Sequence, residues 1–339
     1  MMDRPVNYAV VGTGIGRFHA QGISEMPEKT RLISICDVDE AAASAAAKEF
    51  KAESYTTRYA DLLRRKDVDA LSLCVPHDLH CEMAVAAARA GKHILVEKPL
   101  AVTMKEANEV IAAAKENRVK LMTGHNMRYM GQHAKAKELV DQDVIGKPFM
   151  MVASVHVFAL PGGFRRSLKR QGGGALIDSG VHRFDLIRWI MGDVKRLYGK
   201  KGRFFNMEME GEDTAVVLME FVSGAVGTFT CSWSAKAPKN EEFLQIYGTK
   251  GSIITTYNGQ SLEMRSDTPP AGWQELSSFV FPIDQAGSIK LELADFADSI
   301  ILDREPSITG EDGKKSLELT LATYLSSDTG KPIDLPLEE

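Results

Sequence analysis

At 339 residues the chain has room for two domains, each with its own buried core. It is 44% hydrophobic and 26% charged with a formal net charge of −5, a balance that argues against a nucleic-acid partner. No apolar run is long enough for a membrane span, no secretory leader is visible, and Cys36, Cys74, Cys81 and Cys231 form no Cys-x-x-Cys, so reduced thiols in a cytoplasmic protein are expected, with neither disulfides nor a metal site.

In chain order, residues 8–11 form a buried strand that runs straight into Gly12-Thr13-Gly14-Ile15-Gly16, with a helix from about residue 17. In such a unit Gly12 permits the tight turn and Gly14 lets a pyrophosphate approach the backbone. The helix N-terminus offers N–H groups to the phosphates, so Gly12, Gly14, Ile15 and Gly16 are candidate cofactor contacts. The third glycine comes one residue earlier than in Gly-x-Gly-x-x-Gly, and Arg17 takes the expected slot. A second strand, 32–36, ends in Asp37, 21 residues after Gly16 (37 − 16). A carboxylate at that distance hydrogen-bonds the adenine-ribose hydroxyls of NAD and repels a 2′-phosphate. Val38-Asp39 supply no cation to welcome one, so NAD is expected in preference to NADP. Asp37 also suits the N-cap of an Ala-rich helix over 40–50.

Strand 69–75, loop 76–80, helix 81–90 closed by Gly91, strand 94–97, helix 103–117 and strand 120–123 continue the alternation. Strands separated by helices of this length imply a parallel sheet with right-handed crossovers. Strand 94–97 stops abruptly at Glu97-Lys98-Pro99. Pro99 restricts Lys98 to extended geometry and admits a cis peptide. An ammonium at the carboxyl end of a buried strand sits where open α/β sheets bind ligands, and it suits an alkoxide or carbonyl oxygen. Pro76, His80 and Glu97, at or just after strand ends, are expected beside the nicotinamide half of the cofactor, and His19 under the glycine turn.

A helix over 132–142 and a strand over 149–158 open the second half. Runs rich in Val, Phe, Thr and Tyr at 214–221, 225–233, 243–247, 252–257 and 261–265, with turns at 222–224, 248–251 and 258–259, predict an antiparallel meander. Helices return at 288–302 and 311–327. An open sheet that large needs cover on its second face, which a homodimer or homotetramer supplies. The expected domains are a dinucleotide-binding unit over 1–123 and a substrate-binding and oligomerisation unit over 124–339.

Several phrases resemble the glucose–fructose oxidoreductase / inositol dehydrogenase / rhizopine-catabolism family. They are Val75-Pro76-His77-Asp78-Leu79-His80, Ala90-Gly91-Lys92-His93, Glu97-Lys98-Pro99-Leu100-Ala101, Gly124-His125-Asn126-Met127-Arg128-Tyr129 and Gly172 to His182, followed by Pro306 and Gly310 to Gly313. The likeness covers nearly the whole chain. It implies an N-terminal Rossmann domain and a C-terminal α/β domain with a large, mostly antiparallel open sheet. It also implies a nicotinamide cofactor and chemistry on a sugar, polyol or related alcohol, and it maps the family's lysine, aspartate and histidine onto Lys98, Asp178 and His182.

On this reading His182 takes the hydroxyl proton as general base, and Asp178 holds the imidazole and binds a neighbouring hydroxyl. Lys98 donates to the reacting oxygen. Asp178 and His182, four apart, share a face if 175–192 is one helix; outside the family context they read as an ordinary i,i+4 surface pair. Arg128 is a candidate substrate contact, with a plain surface arginine as the alternative. His156 and Trp233 are further candidates for the pocket wall. The segment 162–170 carries four cations that suit either an anion clamp or a solvated surface, and the solvated reading is favoured. The leading function is an NAD-dependent dehydrogenase of a secondary alcohol in a sugar or cyclic polyol. An NADPH-dependent reductase of a carbonyl, imine or conjugated double bond and a non-catalytic sugar sensor are the alternatives.

Overall fold

The computed structural model describes residues 4–237, 241–256, 260–282 and 285–338; the turn expected at 258–259 lies outside them. Alternating strands and helices fill the first part of the chain. They are β1 (Val6–Val11), α1 (Gly16–Ser24), β2 (Thr30–Cys36), α2 (Glu40–Glu49), β3 (Ser54–Thr56), α3 (Tyr59–Arg64), β4 (Ala70–Leu73), α4 (His80–Arg89), β5 (His93–Glu97), α5 (Met104–Glu116) and β6 (Leu121–Gly124). There follow α6 (Gly131–Asp141), β7 (Pro148–His156), a short α7 (Leu168–Gln171) and α8 (Val181–Met191). The strands β8 (Val194–Gly202), β9 (Thr214–Phe221), β10 (Val226–Ser232), β11 (Glu241–Gly248), β12 (Gly251–Thr256), β13 (Ser261–Ser266) and β14 (Leu276–Val280) come next. The chain closes with α9 (Gln285–Ile301), α10 (Gly310–Thr329) and β15 (Ile333–Asp334).

Contacts divide the chain into two units, 1–126 with 285–314 and 127–284 with 315–339. The first unit is a Rossmann sheet with strand order β3-β2-β1-β4-β5-β6 and every described pair parallel. Its strands read as near-continuous apolar runs because helices cover both faces. The sequence-based boundary at 123 left residues 285–314 in the second domain, whereas α9 returns to the first. Tyr8 of β1 stacks edge-on against Phe296 of α9, with centroids 6.3 Å apart. Lys290 reaches Glu25 at 3.1 Å and Lys29 reaches Asp298 at 2.8 Å.

The second unit carries a nine-stranded sheet in the order β14-β13-β12-β11-β7-β10-β9-β8-β15. It is mostly antiparallel, as expected of a meander, but β7 and β10 run parallel at its centre. Alternation sends Met151, Ala153, Val155, Val217, Met219, Phe229 and Leu244 into a core shared with Phe184 and Ile187 of α8. Phe184 and Phe229 meet edge to face at 5.2 Å.

His133 of α6 is buried in this unit, its Nδ1 3.1 Å from the Thr255 hydroxyl. Burial, with the Arg183 charge behind it, pushes the imidazole pKa down from 6.5 to about 3. Between those values the unfolded chain binds the extra proton, so His133 costs stability progressively as pH falls from about 6.5 towards about 3. His133→Leu is therefore expected to flatten the pH dependence, by up to roughly 1.4 kcal/mol per pH unit, in urea unfolding at pH 7, 6 and 5. Parallel pH curves for the two proteins would contradict this.

Candidate functional site

In the first unit the strand order reverses between β1 and β4, which leaves a crevice at the carboxyl ends of the strands. The glycine turn after β1, Asp37 after β2, the 75–80 segment after β4 and Glu97-Lys98 at the end of β5 all arrive on that edge.

Gly12 has φ +92°, and a Cβ there would sit 2.3 Å from the Cys74 carbonyl oxygen. A Cβ on Gly14 would meet nothing within 4 Å, so its backbone faces open space. Gly16 is pressed against the sheet, where a Cβ would lie 2.9 Å from Val10 Cγ1 and 3.2 Å from Cys74 Cβ. The early third glycine thus permits close helix–strand packing. Arg17, in the slot the usual motif gives to glycine, points outward, pairs with Glu49 and lies 5.4 Å from the Phe50 ring centroid. Ile15 is the N-cap position of α1, and no side chain caps that terminus. An open backbone leading into an uncapped nine-residue helix fits the pyrophosphate of a dinucleotide.

Asp37 faces this turn. Its Oδ2 accepts from Thr13 N at 2.7 Å and Thr13 Oγ1 at 2.6 Å, and its Oδ1 accepts from Asp39 N at 3.0 Å. Burial opposes its ionisation, but the Thr13, Asp39 and Val38 donors together hold its pKa below the ordinary carboxylate value. The N-cap of α2 is Asp39, which accepts from Ala41 N and Ala42 N at 2.9 and 3.1 Å. Asp37 is therefore not the cap.

Lys98 is half-buried, and the Lys98–Pro99 peptide is cis. Two neighbours fix the segment. Glu97 Oε2 accepts from Lys98 N at 3.2 Å, while Glu97 Oε1 pairs with buried His19 Nε2 at 2.9 Å. His19 Nδ1 is 2.8 Å from Ser72 Oγ. Burial opposes both charges in this pair. Cys74 and Glu97 outweigh it at His19, raising that pKa well above 6.5, and the facing imidazole holds Glu97 low. His80 is fully buried, its ring nitrogens 2.7 Å from the Pro99 carbonyl oxygen and 2.9 Å from that of Val75. Burial outweighs those carbonyls and lowers its pKa. His80 thus clasps Pro99 beside Val75 with both ring nitrogens facing main-chain carbonyls, and a neutral ring donates to one of them, so no N–H is left over for a ligand.

In the second unit, the triple glycine brings one helix start against another backbone. A Cβ on Gly174 would fall 1.8 Å from the Glu212 carbonyl oxygen. Glu212 Oε1 accepts from Leu176 N at 2.9 Å and from the Tyr324 hydroxyl at 3.0 Å, and burial raises its pKa. The expected single helix over 175–192 departs from α geometry here. Leu176–Gly180 is a π turn, wound wide where Ala175 N and Leu176 N are both taken by Glu212, and α8 begins only at Val181. Buried Asp178 lies on the π turn, where its Oδ2 accepts from Arg165 Nε at 2.7 Å and Gln171 Nε2 at 3.4 Å. His182 is half-buried on the first turn of α8. Trp233 is buried and donates from Nε1 to Ser179 Oγ at 2.9 Å. His156 stands on the other face of the sheet, its Nε2 2.7 Å from Thr230 Oγ1.

Arg128 is no surface residue. Its guanidinium forks onto fully buried Asp185, with Nε to Oδ2 at 2.8 Å and Nη2 to Oδ1 at 2.5 Å, and lies 5.5 Å from the Trp189 ring centroid. Nor is the basic segment simply solvated, because Arg165 turns onto Asp178 and Arg166 pairs with Glu208 at 2.8 Å. Thr13, Gln171 and Glu212 were not singled out from the sequence.

Residues 6–125 match the family described as the oxidoreductase family with an NAD-binding Rossmann fold, and residues 133–254 match the GFO/IDH/MocA C-terminal domain. The chain is 32% identical to a 1,5-anhydro-D-fructose reductase of Ensifer adhaerens, over 82% of this chain and 83% of that protein. It is 29% identical to a myo-inositol 2-dehydrogenase of Thermotoga maritima, over 96% and 97%. A levoglucosan dehydrogenase solved in complex with NADH has the same fold, with a TM-score of 0.92 at 23% identity over 98% of this chain and 100% of that one.

Removing one partner of a buried ion pair leaves the other charge uncompensated. Arg128→Ala should therefore lower unfolding stability by about 3–5 kcal/mol, and Arg128→Lys should recover little because it cannot fork. The Arg128→Ala/Asp185→Ala double variant should lose less than the sum of its single changes. Additive losses in urea unfolding would refute the coupling.

Proposed function

The chain belongs to the GFO/IDH/MocA family of NAD-binding oxidoreductases, and from that premise we propose that it moves hydride between a secondary alcohol of a sugar or cyclic polyol and NAD. The observation that carries this reading is Lys98, held at the end of β5 on the crevice edge by the Glu97–His19 pair on one side and the His80–Pro99 clasp on the other. Bound NAD would supply the hydride acceptor; Gly12, Gly14, Ile15, Gly16 and Pro76 would hold it, with Asp37 on its ribose. Lys98 donates to the reacting oxygen and favours its ionisation, and His182 takes the hydroxyl proton as the carbonyl forms. Asp178 orients the substrate through a neighbouring hydroxyl. Reduction uses the same groups in reverse. That direction is the second reading, favoured by the reductase among the relatives. The preference for NAD rests on Asp37, whose Thr13 and Asp39 donors keep it ionised where a 2′-phosphate would have to sit.

We also propose that two copies pair through the outer face of the nine-stranded sheet, as a homodimer or within a homotetramer. Register puts Tyr198, Leu218 and Val216 on that face, and Tyr198 is 42%, Val216 49%, Leu218 53% and Val226 47% exposed in one copy.

Turnover of myo-inositol, scyllo-inositol, levoglucosan and D-glucose, followed by NADH absorbance, should favour NAD over NADP at least roughly tenfold in kcat/KM. Lys98→Met should cut kcat by roughly 10²- to 10³-fold with NADH affinity retained. A clear NADP preference would sink the Asp37 argument, and near-normal Lys98→Met rates would remove Lys98 from the chemistry. Light scattering should give a dimer or tetramer that Val216→Asp/Leu218→Asp splits; a monomeric parent protein would refute the pairing.

A further inference from the structure

Arg165 makes an unusual use of its guanidinium. Nε donates to buried Asp178 at 2.7 Å, yet the arginine side chain is 46% exposed. Its charge lies 4.9 Å from the centroid of the neighbouring Phe164 ring. Among the described residues, neither Nη group meets a protein acceptor. A guanidinium has five N–H donors in a fixed plane, so one edge is anchored while the fork stays open.

The backbone on both sides of Arg165 is pinned. Arg166 Nε donates to the Pro161 carbonyl at 3.0 Å and its Nη2 pairs with Glu208 at 2.8 Å. Ser167 N donates to the Phe164 carbonyl at 3.1 Å, Glu210 N to the Arg166 carbonyl at 2.9 Å, and Leu168 N to Glu210 Oε2 at 2.6 Å. The same Asp178 oxygen also accepts from Gln171 Nε2 at 3.4 Å. The open fork is therefore presented from a fixed frame.

We propose that Arg165 is a substrate-binding residue. Its Nη fork donates to an oxygen on the carbon next to the one oxidised, and so selects polyols and sugars with vicinal hydroxyls. This rests on the reading of Asp178 as a substrate contact. Charge bookkeeping favours a neutral ligand over a carboxylate or phosphate. Asp178 already meets the Arg165 charge and Glu208 that of Arg166, so the charge nearest the fork is balanced although Lys169 and Arg170 follow along the chain. An anion would gain little from the fork and would also face Asp178.

The test uses Arg165→Ala and Arg165→Lys, with the fastest polyol of the panel above and its analogue lacking the hydroxyl beside the oxidised carbon. In the parent protein the missing hydroxyl should raise KM roughly ten- to a hundredfold, as expected for a hydrogen bond to a charged group. Arg165→Ala should raise KM for the full polyol several-fold more than for the analogue, the loss common to both substrates reporting the loosened Asp178. Arg165→Lys should not rescue it, because a point charge replaces a planar fork. Rescue by lysine would show that only charge beside Asp178 matters and would overturn the proposal. Equal losses for polyol and analogue would do the same, as would a larger loss for a uronate than for the polyol. Calorimetric titration of the same ligands into NADH-loaded protein gives the comparison without turnover. Parent protein that binds polyol but does not oxidise it refutes the dehydrogenase reading while Arg165 is still tested, and no polyol binding refutes both.

Discussion

A buried histidine–glutamate pair, His19 with Glu97, ties the first unit together on the crevice edge. His19 belongs to the helix whose N-terminus faces the candidate phosphate position, and Glu97 ends the strand that delivers Lys98. Such a pair adds little net stability over a well-packed apolar substitute, since desolvating two charges offsets most of their attraction. Its value lies in register. Neither partner can shift without stranding the other, so α1 and the end of β5 stay in one relative position, and Ser72 closes the remaining side of the ring.

The second unit uses the same device with different parts. There buried Glu212 takes the first two N–H groups of a helix start, Leu176 N on its carboxyl and Ala175 N on its main-chain carbonyl, and glycine at 174 removes the side chain that would keep the two backbones apart. The resulting π turn carries Asp178, and buried Arg128 and Asp185 brace the flanking helix from within the same unit. In both units the candidate side chain projects from a segment fixed by buried, hydrogen-bonded acids, which is how a polar site can be held still without apolar packing around every atom.

The parallel half was legible because buried parallel strands are unbroken apolar runs between helices, and because Asp37 and the glycine turn carry their meaning in spacing. The second sheet was less so. Residues 194–202 alternate only loosely, with Lys195, Arg196, Lys200 and Lys201 on the strand, and the ladder to β9 slips between Val194 and Arg196. The edge strand β14, Leu276-Ser277-Ser278-Phe279-Val280, buries little and gives no apolar stripe. The parallel match of β7 with β10 comes from chain tracing across the sheet, which local hairpin signals do not encode. Arg128 and Arg165 were visible as cations, but an arginine's partner sits far along the chain or on a separate turn, and spacing does not reveal it. The resemblance supplied Lys98, Asp178 and His182 as a set; Glu212 at the π turn and the His80 clasp beside Lys98 appear only in three dimensions, as does the Thr13 anchor of Asp37.

The return of α9 to the first unit makes that unit discontinuous in the chain. A ribosome emits all six of its strands by residue 124 but does not deliver the helix that covers Tyr8 until residues 285–301. Throughout the intervening synthesis Tyr8 and the outer side of α1 lack the helix that packs on them, so this unit closes late, and a fragment cut after residue 126 would expose that seam.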